Sequence, residues 1–478
     1  MGVHGAIKSS YVMLKDVFSS NGLRDYLWFI EQEVDTWGYW VSLPVRRRLW
    51  LWKHGFTSPN GKLYDFDTFG PDAYLSDLQR FRLFRSINGK HRYLLDDKLS
   101  QYWMLVDFPD NRPTAFGLVD RGFVHGVAGT TFDGGPAPIS NWLPTALQRH
   151  SKLVLKQLRG SAGNQVIVCE YDDGFVFDGT RVSEETLCRE VARCSNYLVS
   201  EYVDQHAYAR ELYPHASNTI RLLTVWDHDS GTLLHPAAVQ RIGTDRSRPL
   251  DNFSRGGLTA AIDLETGTLG PAVQKPFAGH APVYDRHPDT GSRIAGTSIP
   301  HWHELRRTVD RIARQNTNIP FIGWDVLLDD SGTPIVIEAN TGTDVDLLQV
   351  HRPLLADPDV AAVVSKHLRD VDAPAGRASV APLSTFGERA RPRTETAASR
   401  NGNELPGRKV TDRESVERES VERGSAERGS AERDSADRES VERDSADRES
   451  AECDSVERDS AGRKLDERNV PHRSGPGN

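Results

Sequence analysis

The 478-residue sequence has four cysteines, at 169, 188, 194 and 453, and no CxxC pair. That scarcity argues against a disulfide scaffold and makes a reducing cytoplasm the expected compartment. No apolar run approaches the ~20 residues of a membrane span, so no transmembrane segment is expected. The opening MGVHGAIKSSYVMLK lacks the apolar core of a signal peptide. A basic excess is missing too. Lys and Arg number 59 against 68 Asp and Glu, a net charge of −9, which argues against a nucleic-acid partner. No GxSxG elbow, no Gly-Lys-Ser/Thr helix start and no nucleophile–His pairing is found. The apolar share, 37%, is low for a wholly folded chain.

What is present divides the chain. After Asp370 the composition turns to Ala, Pro, Arg, Ser and Thr, and a five-residue unit repeats ten times from Ser415 to Lys464. Residues 401–478 hold 15 basic and 21 acidic residues, so most of the net negative charge lies there. A five-residue period advances a helix by about 140° beyond a full turn, so the Val and Ala positions never form one apolar stripe. A disordered tail over 372–478 is expected.

Residues 1–90 read as a helical, aromatic-rich region. Tyr74, Leu78, Phe81 and Arg85 fall at helical spacing. Trp28, Trp37, Trp40, Trp50 and Trp52 are expected to pack this layer onto the next domain. A surface for a membrane or a partner is the alternative. Residues 91–150 form a connecting region. From 151 the pattern changes to short β-branched runs, with strands expected at 153–156, 166–171, 174–177, 198–203, 219–226, 233–242, 321–328 and 334–339. Helices are expected at 183–195, capped by Ser183, and at 301–316. Strands with intervening helices imply an α+β class.

The stretch FIGWDVLLDDSGTPIVIEAN reads as a hairpin turning at Asp329–Gly332. Alternation puts Val336, Glu338 and Asn340 on one face, with Asp325 opposite Glu338. Two carboxylates and an amide oxygen on an otherwise apolar face are costly to bury unless a hard cation such as Mg²⁺ joins them. In KLVLKQLRGSAGNQVIV a strand ends at Lys156, and Gly160, Ser161, Ala162 and Gly163 form a loop able to close around phosphate oxygens. Lys98 sits just inside a helix that Asp96 or Asp97 can cap. NYLVSEYV can present backbone groups and Glu201 to an adenine edge. Arg221 stands in an apolar strand. Asp251, Asn252, Ser254, Arg255, Gly256 and Gly257 make a polar, glycine-closed loop able to offer donors to a transferring phosphoryl group, with Arg241 a weaker candidate. His301 and His303 read as a helix start, and Cys188 and Cys194 as buried thiols.

This order resembles the ATP-grasp superfamily, and within it the sugar-transfer-associated ATP-grasp family. Stretches similar to SNTIRLLTV, DNFSRGG and GWDVLLDDSGTPIVIEANTG carry the likeness, which runs from about Leu94 to Asp370. After Asn340 the chain reads TGTDVDLLQ, where many such ligases have Pro-Gly. The resemblance implies two α+β lobes, at 151–205 and 206–371, gripping ATP in a cleft. It implies that Lys98, Lys156 and the Gly160–Gly163 loop hold phosphates, and that Glu201 and Val203 face the adenine. Asp325, Glu338 and Asn340 would hold Mg²⁺, and Arg221 and Arg255 would stabilise charge near the γ-phosphate. Asp251, Asn252, Ser254, Gly256 and Gly257 would meet substrate. The expected activity is ligation of a small-molecule carboxylate, activated as an acyl-phosphate, to an amine, with glycan-assembly enzymes as partners. A kinase acting on a sugar or polyol hydroxyl, or an ATP-binding scaffold, is the alternative.

Overall fold

The computed structural model describes residues 21–35, 43–160, 166–276 and 281–372. The expected tail, Trp37, Trp40 and loop residues Ser161, Ala162 and Gly163 lie outside these.

A first sheet contains β1 (Ala115–Asp120), β2 (Phe123–His125), β3 (Ala137–Pro138), β4 (Lys152–Gln157), β5 (Val166–Tyr171), β6 (Phe175–Phe177), β7 (Thr180–Val182) and β8 (Tyr197–Glu201). Its order is β3-β2-β1-β8-β4-β5-β6-β7, and each neighbouring pair is antiparallel. Helices Ile139–His150 and Glu184–Ala192 close one face. Their Leu143, Leu147, Leu187 and Val191 share a core with Leu153, Leu155 and Val199. The second helix starts as expected, with the Ser183 hydroxyl accepting from the Thr186 N–H. Cys169 and Cys194 are buried and Cys188 half-buried, all three as free thiols.

A second sheet contains β9 (Ile220–Asp227), β10 (Thr232–Leu234), β11 (Ala238–Ile242), β12 (Leu258–Ile262), β13 (Leu269–Gln274), β14 (Val283–Tyr284), β15 (Phe321–Leu328) and β16 (Pro334–Asn340). Its order is β14-β13-β12-β11-β9-β15-β16, with β10 beside β9. All eight residues of β15 are buried. A strand covered on both faces reads as an unbroken apolar run, which is why FIGWDVLL shows little alternation. On one face lies the helix Trp302–Gln315. Its Leu305, Val309 and Ile312 follow the helical repeat and join Ile220, Leu222, Ile322, Trp324 and Val326 in one core. His301 precedes that helix with φ 54°, in agreement with a helix start. Trp324 is fully buried, and its indole N–H donates to the Thr224 hydroxyl at 2.8 Å.

The other face of this sheet is covered by the N-terminal layer and the C-terminal helix Pro358–Asp372. Leu51, Phe56, Leu83, Val360 and Val364 pack with Leu223, Val225, Val239 and Phe321. The Asn88 amide donates to the Phe321 carbonyl at 2.7 Å and accepts its N–H at 2.9 Å, so one side chain satisfies both polar groups of a buried strand residue. Trp28 stacks on Phe81 at 4.2 Å, and Asp25 pairs with Arg82 and Arg85, each at 2.8 Å. Of the tryptophans expected to pack this layer onto the next domain, Trp50 lies against the shared core, while Trp28 packs within the layer itself. Tyr74 differs from expectation: it lies ahead of the helix Asp77–Ser86 and stacks on Tyr64 at 4.6 Å. Ser76, with Gln79, supplies that helix with a capping box.

Three further readings change. The run 233–242 is two strands, because Pro236 has no N–H to give a ladder. The connecting region 91–150 supplies β1 to β3, and β1 pairs with β8 of the first lobe. Strands β12 to β14 were not anticipated; Ala, Gly and Pro271 weaken their β signal.

Candidate functional site

Asp97 caps the helix Lys98–Met104 by accepting from the Ser100 N–H at 2.9 Å. The cap fixes Lys98 at the helix start, where its backbone N–H reaches the Leu158 carbonyl at 2.9 Å. The Lys98 ammonium lies 3.0 Å from the Gly160 carbonyl and 3.3 Å from a Glu338 carboxylate oxygen. Gln101, one turn on, accepts the Ala339 N–H at 3.0 Å. The helix therefore joins the loop after β4 to β16. Lys156, on β4, lines the same cleft, with Leu198 and Ser200 from β8 and Ile337 and Glu338 from β16. Burial pulls the Lys156 ammonium below its usual range, and Lys98 adds to the effect while Glu338 opposes it.

Beside this cleft sits a buried ion cluster. Register places Asp325 opposite Glu338 on one side and Arg221 on the other. Arg221 Nε meets Asp325 Oδ1 at 2.5 Å, and a terminal nitrogen meets Oδ2 at 2.8 Å. Asp325 Oδ2 also takes Arg241 at 3.0 Å and the Asn340 amide N–H at 3.2 Å. Burial alone would raise the Asp325 pKa; the guanidiniums of Arg221 and Arg241 outweigh it and hold the carboxyl below its ordinary value. A third contact of Arg221 goes to the Thr343 hydroxyl at 2.5 Å. Gly323 makes room for it, since a Cβ there would collide with the Thr343 side chain.

One expectation about faces needs correction. The β15–β16 register shifts between Asp325 and Val326, which pair with Glu338 and Val336. That bulge at Ile337 breaks the alternation. Val336 joins the core under the Trp302–Gln315 helix, while Glu338 stays across from Asp325.

Arg241 ties the cluster to the glycine-closed loop. It reaches Asp251 at 2.6 Å and the Asn252 side-chain oxygen at 2.9 Å. Asp251 also accepts from the Thr219 N–H and hydroxyl, at 2.9 and 2.6 Å. Gly257 is required here, because a Cβ would stand 2.6 Å from the Asp251 carbonyl, and Gly256 has φ 102°. Ser254 and Arg255 are exposed on the short turn Phe253–Arg255.

Glu201 takes a different part from the one expected of it. It lies opposite Leu153, whose side chain belongs to the helix-covered core, and its carboxylate accepts the Thr114 N–H at 2.7 Å. Val203 lies in the link between β8 and the bridge of Gln205 with Asp329. The structure thus gathers Lys98, Lys156 and Glu338 in one cleft, and Arg221, Asp325, Asn340, Asp251 and Asn252 in the adjoining cluster. Arg241, the weaker candidate by sequence, joins both Asp251 and Asp325, and Arg112 is a further buried cation lining the cleft. Arg112 stands in the loop FPDNRPT, where no periodicity marks it.

Two antiparallel sheets meeting at a cation-lined cleft, with helices on their outer faces, describe an ATP-grasp fold. The chain matches the sequence profile of the family described as sugar-transfer associated ATP-grasp over residues 78–356, more than half its length, and it belongs to that family. Comparison with curated proteins finds no match. Solved structures show a loose likeness. An ADP complex of N5-carboxyaminoimidazole ribonucleotide synthetase aligns at 9% identity and TM-score 0.31, over 53% of this chain and 46% of that one. The ATP-grasp ligase PsnB with a minimal precursor aligns at 11% and 0.32, over 59% and 64%. D-alanyl-alanine synthetase A from Vibrio cholerae aligns at 11% and 0.34, over 58% and 66%. The chain thus spans from under half to just under two thirds of the lengths of these proteins.

The donor set suits a magnesium–nucleotide on charge. Among the described residues no three His, Cys, Asp or Glu side chains form a metal cage. Mg²⁺ commonly takes one or two carboxylates and completes its shell with phosphate and water. Glu338 and Asn340, on one strand face, offer such oxygens. Asp325 stands next to them with its charge balanced by arginines. Lys98 and Lys156 bring positive charge to the same cleft.

Proposed function

We propose that the protein is an ATP- and Mg²⁺-dependent ligase that activates a carboxylate as an acyl-phosphate for attack by an amine. The observation that carries this reading is the meeting of Lys98, Lys156 and Glu338 in one cleft between two sheets. Lys98 and Lys156 would hold the phosphates, and backbone at Val203 would meet the adenine. Glu338 and Asn340, with Asp325 behind them, would hold Mg²⁺, which neutralises charge on the transferring phosphoryl group. Arg221 and Arg255 are the cations assigned to charge developing near the γ-phosphate. The Asp251–Gly257 loop, fixed by Arg241, would shape the substrate side. Phosphoryl transfer requires chiefly positioning and electrostatics, and this site offers cations and carboxylates in place of a protein nucleophile. The family description supports a place in polysaccharide or envelope assembly.

The test screens acids and amines for coupled ADP release and compares Glu338→Gln with the natural chain. The variant should lose turnover while its melting temperature stays within about 2 °C, because a neutral amide fits the space but not the role. Turnover unchanged in the variant would remove Glu338 from the site. A stable phosphorylated product formed without an amine would point to a kinase.

A further inference from the structure

The cations of this chain fall into two groups. Arg221 and Arg241 are buried, and each lies against a carboxylate. Arg112 is buried to a similar degree, with 9% of its surface exposed, yet no Asp or Glu among the described residues pairs with it. A buried charge left uncompensated is strongly unfavourable.

What Arg112 does have is a platform. Its guanidinium lies 3.7 Å from the centre of the Tyr102 ring, and one terminal nitrogen donates to the Tyr102 carbonyl. Stacking holds the flat group in one plane. A guanidinium carries five N–H donors, so most remain to be met. Arg112 lines the cleft that Lys98, Lys156 and Glu338 also line. Three cations facing one carboxylate leave that cleft with an excess of positive charge, and a planar fork is suited to two oxygens of one phosphate.

We propose that Arg112 is a further phosphate-binding residue of this cleft, held ready by Tyr102 and supplied with its counter-charge by the nucleotide. The inference rests on the reading of the cleft as a nucleotide site. It adds a contact that comes from the loop before β1 rather than from either lysine.

Calorimetry on the full chain tests it, with adenosine and magnesium–ADP as probes. Arg112→Gln should weaken ADP binding at least about tenfold while adenosine binding changes by less than about twofold. Arg112→Lys keeps the charge, loses the fork, and should fall between. It also serves if the glutamine variant does not fold. ADP affinity within about twofold of the natural chain, in whichever variant keeps its melting transition, would overturn the proposal. So would an equal loss for adenosine and ADP, which would mark a contact to the base. If the unaltered chain binds ADP no more tightly than adenosine, the nucleotide reading itself fails. Arg112 is at fault only where the unaltered chain discriminates and the variants do so equally well.

Discussion

The two sheets differ in what covers them. The second has helices on one face and the N-terminal layer on the other, and β15 at its centre is buried throughout. The first carries its two long helices on one face; on the other, the helix Lys98–Met104 packs Leu99 and Tyr102 against Ala115 and Leu198, and Lys156 and Ser200 line the cleft beside it. Charge follows the same division. Inside the second sheet Asp325, Arg221, Arg241 and Asp251 satisfy one another. On the cleft side, Lys156 and Arg112 outnumber Glu338. Charges that neutralise each other inside a covered sheet hold one another in position, so Arg221 and Asp325 would present a fixed arrangement to a nucleotide. Charges left in excess along the cleft wall are available to a ligand.

The hardest blow to that contrast is Asp325→Ala. It should cost about 3–5 kcal/mol, because two guanidiniums lose their buried partner. Urea unfolding without nucleotide would measure it, and a loss under about 1 kcal/mol would show that Asp325 does not anchor the two arginines. A smaller effect is expected at His351, beside β12. Burial pushes its imidazole down to about 4, and its Nε2 lacks a hydrogen-bond partner. The unfolded chain takes a proton near the ordinary value of 6.5 and the folded one only near 4. Stability should therefore be complete above that upper value and fall as pH drops toward the lower one, by on the order of 1 kcal/mol at pH 5.5. Denaturation at several pH values should show this slope, flattened in His351→Gln. The least change in stability belongs to Lys156→Met in the cleft wall. A charge that burial already disfavours is removed, so the unfolding free energy should move by no more than about 1 kcal/mol while ADP binding is lost.

The hairpin of β15 and β16 was legible because three signals agreed: an apolar run, the DDSG turn and a second apolar run. Its bulge at Ile337 was not, since nothing in PIVIEAN marks a skipped residue, and only pairing with Asp325 and Val326 reveals it. Lys98 was readable from the Asp97 cap. Arg112 was not, because its role arises from a ring ten positions earlier and from a cleft wall built by β16. Glu201 shows a different limit. Its place at the end of β8 could be read from the sequence, but the partner it holds, Thr114, comes from the end of a loop that local patterning did not foretell.

The pairing of Asn88 with Phe321, and the apolar layer around it, decides where this chain can be divided. The family match opens at residue 78. A fragment cut there would lose Leu51, Phe56, Leu63 and Tyr64 and strip much of the cover from Leu223, Val225 and Val239. The segment that defines the family by sequence is therefore smaller than the packed core it shares, and the described residues from 43 to 77 belong to that same core.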